Sequence, residues 1–264
     1  MRVGIVGGGV MGEAILSRAL AVGVLDAGAV TVAEVVPERA ERLTATYGVR
    51  TTASAQEALA GANLVLLAVK PQDLGSVSGT VAPDAVIVSI MAGVRIESIA
   101  NAFTHERIVR VMPNTPAAIG EGMSAWTATA AVDAAQRETV RSILAAVGRE
   151  LYVDDEKKID MATALSGSGP AYVFLFIEAL IEGGVAAGLT RAQASELAIQ
   201  TVSGAARYAA ESGQSPADLR AAVTSPAGTT AAGLLALEEA AFRAAVINAV
   251  RSAHVRAIEL GGQK

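Results

Sequence analysis

Two stretches hold the residues best suited to chemistry. Val223-Thr224-Ser225-Pro226-Ala227-Gly228-Thr229-Thr230-Ala231-Ala232-Gly233 packs four hydroxyls, a proline and two glycines into otherwise alanine-rich helical sequence. A helical pattern resumes at Leu234, Leu235, Leu237 and Glu238. A loop of this kind running into a helix presents backbone N–H groups at the positive end of the helix dipole, a seat for an anion such as a carboxylate. The same residues also suit a helix–helix connection with an N-cap. At the other end of the chain, Gly7-Gly8-Gly9-Val10-Met11-Gly12 matches G-x-G-x-x-G between an apolar strand (3–6) and a helical pattern through Ile15, Leu16, Ala19 and Leu20. Glycines so spaced serve a tight turn, close backbone approach to a pyrophosphate and close packing of helix on strand, so a dinucleotide site is expected.

Positioning such a site requires a sheet. Strands are predicted at 30–35, 63–69, 85–90 and 107–111 as continuous aliphatic runs, with helices at 37–47, 54–59 and 96–103 between them. This is the alternation of a doubly wound parallel sheet covered on both faces. Glu34 closes the second strand, where an acid bonds the ribose 2′-hydroxyl of NAD; a 2′-phosphate would meet it unfavourably, which favours NADH over NADPH, with Arg39 and Arg42 the cations able to offset this. Three loops at strand ends stand out: Val69-Lys70-Pro71-Gln72, Met91-Ala92-Gly93-Val94 and Met112-Pro113-Asn114-Thr115-Pro116. Further strands (123–128, 150–153) flank a helix (133–147), and a charge cluster, Asp154 to Lys158, marks the boundary between a dinucleotide-binding domain (1–154) and a second domain (155–264).

The second domain lacks strand alternation. Ser166-Gly167-Ser168-Gly169-Pro170 reads as the break between one helix and the next, with Pro170 in a first turn, or as a second anion-facing loop. The following helix is apolar nearly all round, so it must be buried. Thr190-Arg191-Ala192-Gln193 is a capping box. The chain is 52% apolar but 3% aromatic, so its core is built from small aliphatics and its surplus apolar surface is expected between subunits.

With no cysteine, thiol nucleophiles, disulfides and zinc–thiolate sites are excluded; with two histidines, His105 and His254, neither in a motif, no metal site is expected. A net charge of −5 argues against nucleic acid. No signal peptide and no run long enough to span a membrane is read, so the chain is expected to be cytoplasmic, with no membrane partner.

Gly7-Gly8-Gly9-Val10-Met11-Gly12, Ala68-Val69-Lys70-Pro71, Met112-Pro113-Asn114-Thr115-Pro116, Leu165-Ser166-Gly167-Ser168-Gly169-Pro170-Ala171-Tyr172 and Val223 to Thr230, in that order, closely resemble pyrroline-5-carboxylate reductase over essentially the whole chain. The resemblance implies an oxidoreductase that reduces 1-pyrroline-5-carboxylate to L-proline with NADPH or NADH, the last step of proline biosynthesis. It implies a Rossmann domain followed by an all-helical domain that interlocks with a partner subunit, with homodimers assembling into decamers. Gly7, Gly9, Val10, Met11 and Gly12 would hold the pyrophosphate. Ala68, Val69, Lys70 and Pro71, with Ile90, Met91 and Ala92, would line the nicotinamide side, and Asn114 joins the cofactor set. Val223, Ser225, Gly228, Thr229 and Thr230 would hold the substrate. Thr230 is the catalytic candidate, as hydrogen-bond partner of the imine nitrogen or relay of its proton, with solvent as the alternative proton source. Family members favouring NADPH carry small hydroxyl residues where this chain has Glu34, Val35 and Val36. Other readings are a hydroxyacid dehydrogenase, which would want a lysine within a helical-domain motif that this chain lacks, and a dinucleotide sensor without turnover, which would bind cofactor but no substrate.

Overall fold

The computed structural model describes residues 1–262. The chain divides into two compact units: Met1–Ser168 together with the end of the chain from Ser252, and Gly169–Arg251.

The first unit is built on an eight-stranded sheet of order β3-β2-β1-β4-β5-β6-β7-β8. Its strands are β1 (Val3–Val6), β2 (Val30–Ala33), β3 (Arg50–Thr52), β4 (Leu64–Leu67), β5 (Val86–Ser89), β6 (Ile108–Met112), β7 (Gly122–Ala128) and β8 (Gly148–Tyr152). The first six are parallel; β7 runs antiparallel to β6, and β8 parallel to β7. Helices α1 (Val10–Ala21), α2 (Pro37–Tyr47), α3 (Ala55–Leu59), α4 (Ile96–Phe103) and α5 (Ala134–Ala146) connect them. Alternate residues serve opposite faces. Ile5, Leu66, Val88 and Val109 join one apolar cluster with Ile15 and Leu144, while Val65, Leu67, Ile87 and Ile108 join the other with Leu59 and Ile99. Two clusters explain why the strands are apolar without alternation.

Two readings of this unit need adjustment. The strand predicted at 30–35 stops at Ala33, because the Glu34 carboxylate folds back to accept the Val36 N–H at 2.9 Å and turns the chain into α2. The sequence also hides β3, a polar edge strand whose only apolar support is local. His105 is a core residue: it is buried, and its Nε2 bonds the Ala85 carbonyl at 2.8 Å.

Helix α6 (Lys157–Ala162) starts within the charge cluster and groups with the first compact unit, whose leading segment runs to Ser168. Arg110, on β6 and 1% exposed, donates to Glu156 at 2.9 Å and to Asp160 at 2.6 Å, and Glu156 accepts the Ile96 N–H at the start of α4 at 2.8 Å. A buried guanidinium must be paired, and both of its carboxylates lie on or beside α6.

The second unit contains α7 (Gly169–Ala186), α8 (Arg191–Glu211), α9 (Pro216–Ala222), α10 (Thr229–Glu239) and most of α11 (Phe242–Gly262). The Thr190–Gln193 capping box is formed. Among the described residues of this unit, Ala194 and Ala198 alone are fully buried apolar side chains, whereas Phe174, Leu175, Leu235 and Ile247 are each more than half exposed.

The expected helix break at 166–170 falls where a π turn and a bend at Ser168 separate α6 from α7, and Pro170 stands in the first turn of α7. Lys157–Ala186 is a helical run interrupted by that π turn at Thr163–Gly167. A proline inside an α-helix clashes with the carbonyl four residues earlier, and widening the preceding turn removes the clash. Taken together, Lys157–Ala186 is long and apolar enough to cross a membrane by length and composition, which corrects the absence of any such run in the sequence reading.

Replacing Arg110 by alanine strands two buried or half-buried carboxylates and is expected to cost ~3–5 kcal/mol. Chemical denaturation of the variant beside the parent measures this; a loss under ~1 kcal/mol would show that α6 is held by something else.

Candidate active site

The G-x-G-x-x-G turn joins β1 to α1 at the carboxyl edge of the parallel strands, where ligands of such sheets sit. Two of its glycines have a steric reason. A Cβ on Gly7, at φ +104°, would stand 2.7 Å from the Ala68 carbonyl oxygen, and one on Gly12 would stand 2.3 Å from that of Gly7. At Gly9 a Cβ would meet nothing within 4 Å, so packing within the chain does not require glycine there. Gly9 is also the N-cap of α1 and provides no side-chain cap, leaving the first helix amides for an incoming group.

A cavity of about 620 Å³ extends from this turn. Of the residues named for the cofactor, Gly7, Gly9, Glu34, Ala68, Val69 and Lys70 line it. Val35 and Arg39, both weighed in the sequence for the 2′ position, line it as well, as do the segments Ala53–Gln56 and Ser76–Ser78, which sequence reasoning missed. The first of these segments follows β3, so overlooking that polar strand concealed the loop it carries. Val10, Met11, Gly12, Pro71, Ile90, Met91, Ala92 and Asn114 are not among the lining residues. Met91 is 2% exposed and packs in the core, and Met11 and Ile90 pack against the other apolar cluster.

Glu34 closes the cavity at the end of β2. Its side chain is 3% exposed and fully engaged: Oε2 accepts from the Gly8 N–H at 3.0 Å and from Arg39 Nη1 at 2.9 Å, while Oε1 takes the Val36 N–H. The acid is therefore fixed in place and partly neutralised by a cation that lines the same cavity. Behind the turn, Glu13 of α1 is held by Arg42 and Tyr47 of α2; the Arg42 hydrogen bonds, working against partial burial, keep its carboxyl below the usual range.

Asn114 is placed differently from its expected role. Its Nδ2 donates to the Ser166 carbonyl at 3.2 Å and reaches Ser166 Oγ at 3.3 Å, and its Oδ1 accepts the Met123 N–H at 2.8 Å. Both ends of the amide are committed within the protein.

In the second unit, the loop before α10 is a compact turn. The Gly228 N–H donates to the Ser225 carbonyl at 3.1 Å across Pro226 and Ala227, with Ala227 at φ +57°. A left-handed alanine costs roughly 1–2 kcal/mol, strain of the kind that persists at ligand sites. A Cβ on Gly228 would stand 2.3 Å from Ser225 Oγ. Gly228 is the N-cap of α10 and, like Gly9, offers no side-chain cap. By contrast α3, α5, α8 and α9 are capped by Ser54, Asp133, Thr190 and Ser215. The first amides of α10 are thus left for an anion, with the exposed Thr229 and half-buried Thr230 hydroxyls beside them. Val223 is 65% exposed at the end of α9, and Ser225 is exposed.

Residues 156–260 match a family described as pyrroline-5-carboxylate reductase dimerisation, and residues 2–93 one described as NADP oxidoreductase coenzyme F420-dependent. A pyrroline-5-carboxylate reductase of Synechocystis sp. is 46% identical over 264 residues, covering 99% of this chain and 98% of the relative. One from Escherichia coli is 39% identical, covering 94% of each. The crystal structure of a pyrroline carboxylate reductase of Plasmodium falciparum with NADP bound superposes with a TM-score of 0.88 at 30% identity, covering 99% of this chain and 98% of that one.

The glycine geometry separates folding from binding. Gly9→Ala is expected to leave the unfolding midpoint within a degree or two of the parent while weakening dinucleotide binding by about tenfold or more. Gly12→Ala, which drives a Cβ into backbone, should lose stability. Fluorescence titration and thermal melts on both variants check the pair; normal binding by Gly9→Ala would remove the phosphate path from this turn.

Proposed function

The chain belongs to the pyrroline-5-carboxylate reductase family, and from that premise we propose that it reduces 1-pyrroline-5-carboxylate to L-proline using NADH or NADPH. The observation that carries this reading is the pairing of a Gly9-opened dinucleotide turn with a Gly228-opened, hydroxyl-rich helix start, both with uncapped amides. The turn, the Glu34 end of the cavity and the loop at Ala68, Val69 and Lys70 would hold the dinucleotide. Bound there, the reduced nicotinamide supplies the hydride that no side chain can. It adds to the carbon of the C=N bond, the π pair becomes the bond from nitrogen to a proton, and a saturated ring results.

What the chain contributes is orientation and proton handling. The α10 amides and the Ser225 and Thr229 hydroxyls seat the substrate carboxylate, and Gly228 keeps that approach free of side-chain atoms. Thr230, one turn position further on, donates to or relays a proton toward the imine nitrogen. Thr230→Ala is expected to lower kcat on the order of 100-fold. Near-normal turnover by this variant would pass the proton role to solvent.

The fixed Glu34 carboxylate makes NADH the favoured donor: a 2′-phosphate would be brought toward a charge that cannot swing away, and Arg39 is already bonded to it. Loss of reduced-nicotinamide absorbance with pyrroline-5-carboxylate, run with each donor, tests the reaction and the preference together. A ratio of specificity constants near tenfold for NADH is expected, equivalent to about 1.4 kcal/mol of discrimination; a preference for NADPH would overturn the Glu34 argument and leave the reaction standing.

The second unit, with alanines for a core and large apolar side chains outside, is read as one half of a homodimer, with dimers assembling further into decamers. On this reading the apolar face of Lys157–Ala186 meets a partner subunit and not lipid, and the enzyme acts in the cytoplasm without membrane or nucleic acid.

A further inference from the structure

We propose that Asn114 is a positioning residue that holds open the π turn at Thr163–Gly167, and not a ligand of the dinucleotide; the catalytic part of this inference rests on the reductase reading above. Residues two apart on an extended strand share a face. Along β6 and its continuation, Arg110 meets α6, and Met112 and Asn114 meet the π turn. Arg110 pairs with Glu156 and Asp160, a Cβ on Gly167 would stand 2.6 Å from Met112 Cε, and Asn114 bonds Ser166.

The reason for the last contact lies in the sequence. The Ser166 carbonyl would receive the N–H of residue 170 in an α-helix, and residue 170 is proline, which has none. The Asn114 amide donates in its place, at 3.2 Å. The widened register is visible one step earlier, where the Ser168 N–H reaches back five residues to the Thr163 carbonyl at 2.8 Å. Asn114 itself is anchored by the Met123 N–H, so its donor is aimed and not free to follow a ligand. The turn stands at the carboxyl end of β6, beside β5 and β4, whose ends carry the Ile90–Ala92 and Ala68–Pro71 loops. An asparagine there controls where Ser166, Gly167 and Ser168 lie at that edge.

The test combines two substitutions. Asn114→Ala should reduce kcat on the order of ten- to a hundredfold, the scale of a displaced site segment, while the dissociation constants of NADH and NADPH change less than about twofold. Hydrogen exchange of the amides in 163–172 should speed up in this variant. In a Pro170→Ala background, where the residue 170 N–H can serve the Ser166 carbonyl, adding Asn114→Ala should change kcat less than about twofold. Asn114→Asp keeps the acceptor for Met123 and removes the donor, so it should repeat the Asn114→Ala result if the alanine variant fails to fold. A tenfold weaker dinucleotide constant with unchanged kcat at saturation would make Asn114 a cofactor ligand and overturn the proposal. Equal losses in the parent and in the Pro170→Ala background would do the same for the carbonyl. The titrations and exchange rates need no substrate, so they decide the role of Asn114 even if the parent fails to reduce pyrroline-5-carboxylate, which is the separate failure of the reductase reading.

Discussion

A guanidinium buried on β6 can exist only with carboxylates brought to it, and much of the architecture near the sheet edge follows from that demand. Arg110 draws Glu156 and Asp160 down onto the strand, and Glu156 in turn takes the first amide of α4. Three elements from distant parts of the chain are thereby locked at one point. Breaking such a set costs more than the set itself gains over an apolar substitute, because the penalty falls on whichever charge is left behind. The arrangement therefore fixes which geometry forms more than how stable it is.

The same physics appears at both ends of the chemistry. Four helices, α3, α5, α8 and α9, have their first amides met by a cap side chain, those of Ser54, Asp133, Thr190 and Ser215, whereas α2 and α4 begin at Val36 and Arg95 without one. Where α1 and α10 begin, the cap position is glycine and the amides are left open. Gly9 and Gly228 thus share one use by different routes: the first keeps empty space, the second avoids a clash with Ser225 Oγ.

Most of this plan is legible in the residues. The aliphatic runs give the central strands, Pro37 and the 190–193 box mark helix starts, and the glycine spacing marks the turn at β1. Less legible are features that depend on a partner far away in sequence. β3 has no apolar signature because it is an edge strand in which only Thr51 and Thr52 are partly covered. Ser166 to Pro170 has every local mark of a helix break, and the contact its π turn makes with Asn114, 52 residues upstream, leaves no local mark at all. Glu34 is readable as an acid at a strand end, but not as one already held by Gly8, Val36 and Arg39.

A unit whose sealed interior among the described residues consists of Ala194 and Ala198 has little to hold it together alone. On the proposed homodimer reading, the folding free energy of that unit contains a concentration term, and stability becomes a property of the solution as well as of the sequence. Dilution would then act as a denaturant on α7 to α10 before it reached the sheet of the first unit, so the hydroxyl-rich loop at 223–233 would be the part of the molecule that expression level governs.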